Sequence, residues 1–143
     1  MIPWGPLGAG FLSGKYRRGE RPPEGSRIAE AKDDYEEAYD RRAIERNFAV
    51  VDAAGEIAEA RGVTIAQVAL AWLLGTDGVT APIIGPRTFE QLEDLLGADG
   101  LRLEPDERAR LEAPAPPPPA YPQRMLSEQS GIGDIAIRRS GDA

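Results

Sequence analysis

Ala81-Pro82-Ile83-Ile84-Gly85-Pro86-Arg87-Thr88-Phe89-Glu90-Gln91-Leu92-Glu93-Asp94 decides how the chain is read. A short apolar run reaches a glycine turn, and a helix opens on Thr-x-x-Gln. Such a turn aims backbone N–H groups and the positive end of a helix dipole at one point, which suits a phosphate. Arg87 adds a planar cation able to make two parallel hydrogen bonds. The same residues also read as an ordinary strand–turn–helix connection with a capping box. From these fourteen residues alone the two readings stand level.

Working outward, Val79 to Ile84 reads as a strand covered on both faces, as parallel strands are. Before it, Thr64-Ile65-Ala66-Gln67 is a capping box opening an apolar helix through Leu74. After it, the helix from Thr88 is expected to turn Leu92, Leu95 and Leu96 inward. A last helix starts with Pro105 at its first position and makes apolar contacts through Ala109 and Leu111. Further upstream, residues 29 to 61 read as helix. Ile44, Phe48, Val51, Ala54, Ile57 and Ala58 fall at three- and four-residue steps along one stripe. Gly62 is placed to end that helix as a C′ glycine. The clustered carboxylates of Asp33-Asp34-Tyr35-Glu36-Glu37 could bind a metal, but neighbours in sequence point to different helix faces, so a solvated helix or loop is the expected reading.

The N-terminal stretch has its own character. Met1 to Trp4 reads as the end of a strand, with Pro3 lacking a ladder donor. Gly5-Pro6-Leu7-Gly8-Ala9-Gly10-Phe11-Leu12-Ser13-Gly14-Lys15-Tyr16 follows. Its glycines permit close backbone approach, and Lys15 could face a diphosphate. It carries neither a Walker loop nor a Gly-x-Gly-x-x-Gly fingerprint. Glycine content alone favours a flexible surface loop. Residues 17 to 27 continue as a polar loop. The alternation of strand and helix indicates a parallel α/β architecture, yet two visible strands cannot hide this much apolar helix surface.

Bulk properties narrow the chemistry. The 143 residues fit one domain, and 41% hydrophobic residues suffice for a core. The chain has no Cys and no His. Disulfides, thiolate chemistry, Cys/His zinc sites and His-based triads are therefore excluded within it. The net charge of −7 argues against nucleic-acid and anionic-membrane surfaces. No apolar run is long enough to span a membrane. The start lacks a signal peptide's basic and apolar regions, so a cytoplasmic location is expected. From Ala113 onward the composition becomes proline-rich. Residues 114–143 are expected to form a largely disordered tail, with a docking segment for proline-reading domains as the alternative.

Three motifs in order carry a family resemblance. They are Trp4 to Tyr16, Gly62-Val63-Thr64-Ile65-Ala66-Gln67-Val68-Ala69-Leu70-Ala71-Trp72-Leu73-Leu74, and Ile83 to Leu92. Together they closely resemble the aldo-keto reductase family over residues 1–113, with Tyr121-Pro122 added. The resemblance implies an α/β fold: the C-terminal part of a TIM-type (β/α)8 barrel from the end of strand seven, mostly helical, with two short parallel strands. It implies NADP(H) as cofactor and a small carbonyl compound as substrate. The family's catalytic Asp, Tyr, Lys and His belong to the earlier half, so no catalytic residue is assigned here and no metal is expected. Residue by residue, it places Trp4 against the nicotinamide and Gly5, Pro6, Leu7, Gly8 and Ala9 along the diphosphate. Lys15 and Arg27 close over the phosphates, Gly85 and Arg87 meet the adenosine 2′-phosphate, and Gln91 and Asp94 lie near the adenine. Three positions depart from the family pattern. Gly5 stands for a usual serine, Leu95 for a usual asparagine, and Glu104 for a usual Ser or Thr cap. The chain is thus expected to be a partial reductase, inactive alone. The alternatives are a non-catalytic NADP-binding module, or a half-barrel pairing with its missing N-terminal half, another polypeptide or a second copy.

Overall fold

The computed structural model describes residues 1–26, 28–29 and 39–114. Among these described residues, in chain order, are one 3-10 turn, Phe11–Ser13, and five α-helices. These are α1 (Tyr39–Arg42), α2 (Glu45–Arg61), α3 (Ile65–Leu74), α4 (Phe89–Leu96) and α5 (Pro105–Glu112). α2 is the spine: it packs on both α3 and α5, while α3 also meets α4 and the 3-10 turn.

Apart from Ile44, the stripe read from the sequence sits where it should. Phe48, Val51, Ala54, Ile57 and Ala58 are all buried along α2. One end of the stripe joins Ala9, Phe11, Tyr16 and Ile28 in a first core. The other joins Val68 and Leu111 in a second, and Ile65 packs against both. Gly62 closes α2 in the left-handed conformation at φ 66°. Its N–H donates to Glu59 O and that of Val63 to Ala58 O, which satisfies carbonyls the helix end leaves open. The chain then turns by 101° into α3. Among the described residues, no single helix is long and apolar enough to cross a membrane.

Several expectations are corrected. Two strands were expected, but the described residues hold one isolated parallel bridge, Trp4 to Ile83. The N–H groups of Thr80 and Ile83 donate to Met1 O and Pro3 O at 2.8 and 2.9 Å. Pro3 and Pro82 have no N–H to extend the ladder. The parallel direction is as expected. The helix read over 29 to 61 is not continuous: Ala29 lies in a turn, and α1 ends at Arg42 before α2 begins. Ile44 breaks it in an extended conformation and is exposed rather than on the stripe. The Gly5–Tyr16 segment is no flexible surface loop, since Ala9, Phe11 and Tyr16 are core residues. Leu96 and Ala109 point outward, and Glu107 takes the inner position on α5 beside Leu111. The acidic stretch 33–37 and the tail from residue 115 lie outside the described residues.

Candidate functional site

The first core exists to hold a coiled loop at its surface. Backbone bonds from Gly8 to Gly5 O, Gly10 to Leu7 O, Phe11 to Gly8 O and Leu12 to Leu7 O wind the segment into consecutive tight turns. Gly8, Ala9 and Gly10 have φ of 55°, 56° and 88°. Left-handed backbone costs an alanine on the order of 1–2 kcal/mol; the buried methyl of Ala9 in the first core offsets this. The Phe11 ring anchors the turn from below, at 5.1 Å from Phe48 and 5.9 Å from Tyr16.

Opposite this loop lies the turn that opens α4. Thr88 is the N-cap, its hydroxyl accepting from Gln91 N at 3.2 Å. The reciprocal bond of a capping box is shifted by one residue: Gln91 Oε1 accepts from Arg87 N at 2.8 Å. Glu90 sits at the same end, and its carboxyl is held below the usual carboxylate range, first by its own backbone N–H and then by the Thr88 hydroxyl. The protein's own side chains thus satisfy these opening amides. The helix-cap reading is realised, and any anion at this turn must be met chiefly by the Arg87 guanidinium, which reaches Gly25 O at 3.3 Å.

Between loop and turn runs a cleft of about 350 Å³. Trp4, Gly5, Pro6, Leu7, Ala9 and Lys15 line it from one side, and Gly85, Arg87, Gln91 and Asp94 from the other. Ten of the twelve residues expected at a site therefore meet in one place. Gly8 does not line it; a Cβ there would lie 3.0 Å from an Arg42 guanidinium nitrogen. Arg27 lies outside the described residues. Trp4, which lines the cleft, is 69% exposed. Among the described residues, the cations lining the cleft are Lys15 and Arg87, and the carboxylate is the half-buried Asp94.

Sequence reasoning missed several walls. Gly10, Ser13, Gly25 and Ser26 also line the cleft. All four stand within stretches whose glycines were visible. Ala66, Ile84 and Leu95 form apolar wall. Nothing in the sequence marks Ala66, which reaches the cleft only because α3 packs behind α4. Gln67 secures that packing: Nε2 donates to Asp94 O at 2.7 Å, while Oε1 accepts from Thr64 N. No group of three or more metal-ligating side chains occurs among the described residues.

Residues 1–115 match the family model described as the aldo/keto reductase family. The chain is 35% identical over 123 residues to the aldo-keto reductase AMT2 of Alternaria alternata, covering 85% of this chain and 31% of that protein. It is 34% identical over 112 residues to the L-glyceraldehyde 3-phosphate reductase of Escherichia coli K12, covering 78% and 32%. It is 32% identical over 103 residues to the aldo-keto reductase yakc [NADP(+)] of Schizosaccharomyces pombe, covering 72% and 29%. The chain spans about a third of the length of these curated relatives.

Proposed function

The chain belongs to the aldo/keto reductase family, and we propose that its cleft binds NADP(H), lengthwise, from Trp4 at the nicotinamide to Arg87 and Gln91 at the adenosine. The observation that carries this reading is convergence. Residues from two stretches some seventy positions apart line one cleft with a cation on each wall. The flat Trp4 indole suits an aromatic ring and is rigid, so little conformational freedom is lost on stacking. Lys15 and the turns of Gly5 to Ala9 lie where a diphosphate would pass. Arg87 suits a 2′-phosphate because its guanidinium forms paired, charge-assisted bonds. Ala66 and Leu95 give the adenine an apolar wall, with the Asp94 carboxylate as acceptor at its edge.

When bound, the cofactor supplies hydride chemistry toward a small carbonyl compound. This chain's residues bind and orient it, and the family's acid–base group is assigned to none of them. The chain by itself is therefore a cofactor-binding part of a barrel reductase, without turnover. Titration with NADPH, followed by tryptophan fluorescence, tests the binding. Quenching is expected, and Arg87→Ala should raise Kd for NADPH roughly tenfold, as loss of a charged hydrogen bond does. NADH, which lacks the 2′-phosphate, should be far less affected. A flat titration with the native chain overturns the reading.

A second reading is favoured by the exposed Met1, Ile2, Trp4 and Ile83 beside the lone bridge. Extended, apolar backbone beside a single bridge invites further pairing. The remaining strands of a barrel, from polypeptide beyond these 143 residues, would cover it. Light scattering with and without the preceding part of a related reductase tests this; failure to form a complex counts against it.

A further inference from the structure

The Lys15 side chain folds back on its own neighbour. Nζ lies 5.1 Å from the centroid of the Tyr16 ring. That ring is fixed, buried and stacked on Phe11 at 5.9 Å, with Tyr39 edge-on at 6.2 Å. The ammonium rests against Gly10, where a Cβ would stand 2.9 Å from Nζ and 3.1 Å from Cε. The Tyr16 hydroxyl is buried 3.9 Å from the same point and has no hydrogen-bond partner among the described residues. What Tyr16 offers at this place is therefore its ring face. Gly10 and Lys15 both line the cleft.

We propose that Tyr16 is a positioning residue: its ring holds the Lys15 ammonium against the bare Cα of Gly10, at the cleft wall, before any anion arrives. This deepens the dinucleotide reading of the cleft and rests on it. A lysine on a free four-carbon stem surrenders rotamer freedom when it meets a phosphate. One already parked on an aromatic face surrenders less, and the ring keeps contributing to the cation once the anion is bound.

The test uses the full chain with ¹³C-labelled lysine. Lys15 and Lys32 give the lysine signals, and Lys32→Arg assigns them. In the native protein the Lys15 ε-methylene protons should resonate upfield, shifted by the Tyr16 ring current, and should move on addition of inorganic pyrophosphate. Tyr16→Leu should return them to the random-coil position and weaken binding of pyrophosphate and NADPH roughly two- to fivefold, the factor a cation–π contact at an exposed site corresponds to. Tyr16→Phe, which keeps the ring, should restore both shift and affinity. Absence of the upfield shift in the native protein overturns the proposal whatever the variants do. Pyrophosphate that binds without moving the Lys15 signals, or a folded Tyr16→Leu variant that binds both ligands as tightly as the native chain, overturns it and leaves the cleft reading standing. A native chain that binds neither ligand overturns both.

Discussion

Gln67 shows how much one side chain can carry without announcing it. Its capping bond with Thr64 was legible from four residues of sequence. Its second bond, to Asp94 O, spans 27 positions and was not. The tightness of that contact falls on Gly97, where a Cβ would stand 2.3 Å from Gln67 Nε2 and 3.1 Å from Asp94 O. Gly97 has φ −61°, so its backbone suits any residue and the obstruction is purely one of space. Gly97→Ala should force the Gln67 amide off Asp94 and cost on the order of 1–3 kcal/mol, the range of overpacking and lost buried bonds. Urea denaturation of a double-mutant cycle checks the cause. In a Gln67→Ala background the Gly97→Ala penalty should shrink to what the 3.1 Å approach to Asp94 O alone costs; an undiminished penalty rules out the clash with Gln67. Arg87 gives the matching lesson at the site. Its cation was legible, but the shift of the Gln91 bond onto Arg87 N depends on side-chain length and turn shape together, which no spacing rule encodes.

Helical elements were read well where a stripe repeats and poorly where an ion pair replaces it. Phe48 to Ala58 alternate at helical steps, and burial follows directly. α5 has no such stripe, so Ala109 was placed inward and Glu107 was overlooked. Glu107 is 9% exposed. It accepts from Arg61 Nε and Nη2 at 2.7 and 2.6 Å, and from Glu104 N at 2.7 Å. The Arg61 guanidinium, chiefly through its hydrogen bond, holds the Glu107 carboxyl below the usual carboxylate range despite its burial. A carboxyl depressed in the folded state contributes stability above its unfolded value, near 4.3, and loses it as pH falls through the folded value. Glu107→Gln should therefore lower the urea midpoint at pH 7, and the gap from native should narrow steadily below about pH 4.5. Parallel curves between pH 3 and pH 7 would show that the pair contributes nothing. The two N-caps separate fold from site. Thr64→Ala and Thr88→Ala should each cost about 1 kcal/mol. Only Thr88→Ala, which lies next to Arg87, should also weaken NADPH binding.

At the scale of the molecule, the parallel direction of Trp4 and Ile83 was legible while the extent of pairing was not. Prolines at 3 and 82 interrupt the ladder, and stacked helices rather than strands give the chain its cores. The two walls of the cleft rest on different contacts, joined by the Trp4–Ile83 bridge and by α3, which meets both the 3-10 turn and α4. The loop from Trp4 to Lys15 is tied to the first core, and the turn from Gly85 to Asp94 rides on α4 against α3. A ligand that touches both walls ties them further. NADPH at a hundred times its Kd should stabilise the whole by about 2.7 kcal/mol, and amide exchange should slow both around residues 5–15 and around 85–95. 2′,5′-ADP carries only the adenosine end. It should slow exchange around 85–95 and leave residues 5–15 as they were, with a smaller rise in the unfolding midpoint. Slowing confined to residues 5–15 would reverse the proposed direction of the cofactor. Slowing of both stretches by the fragment would mean that the Trp4–Ile83 bridge and α3 already couple the walls into one body.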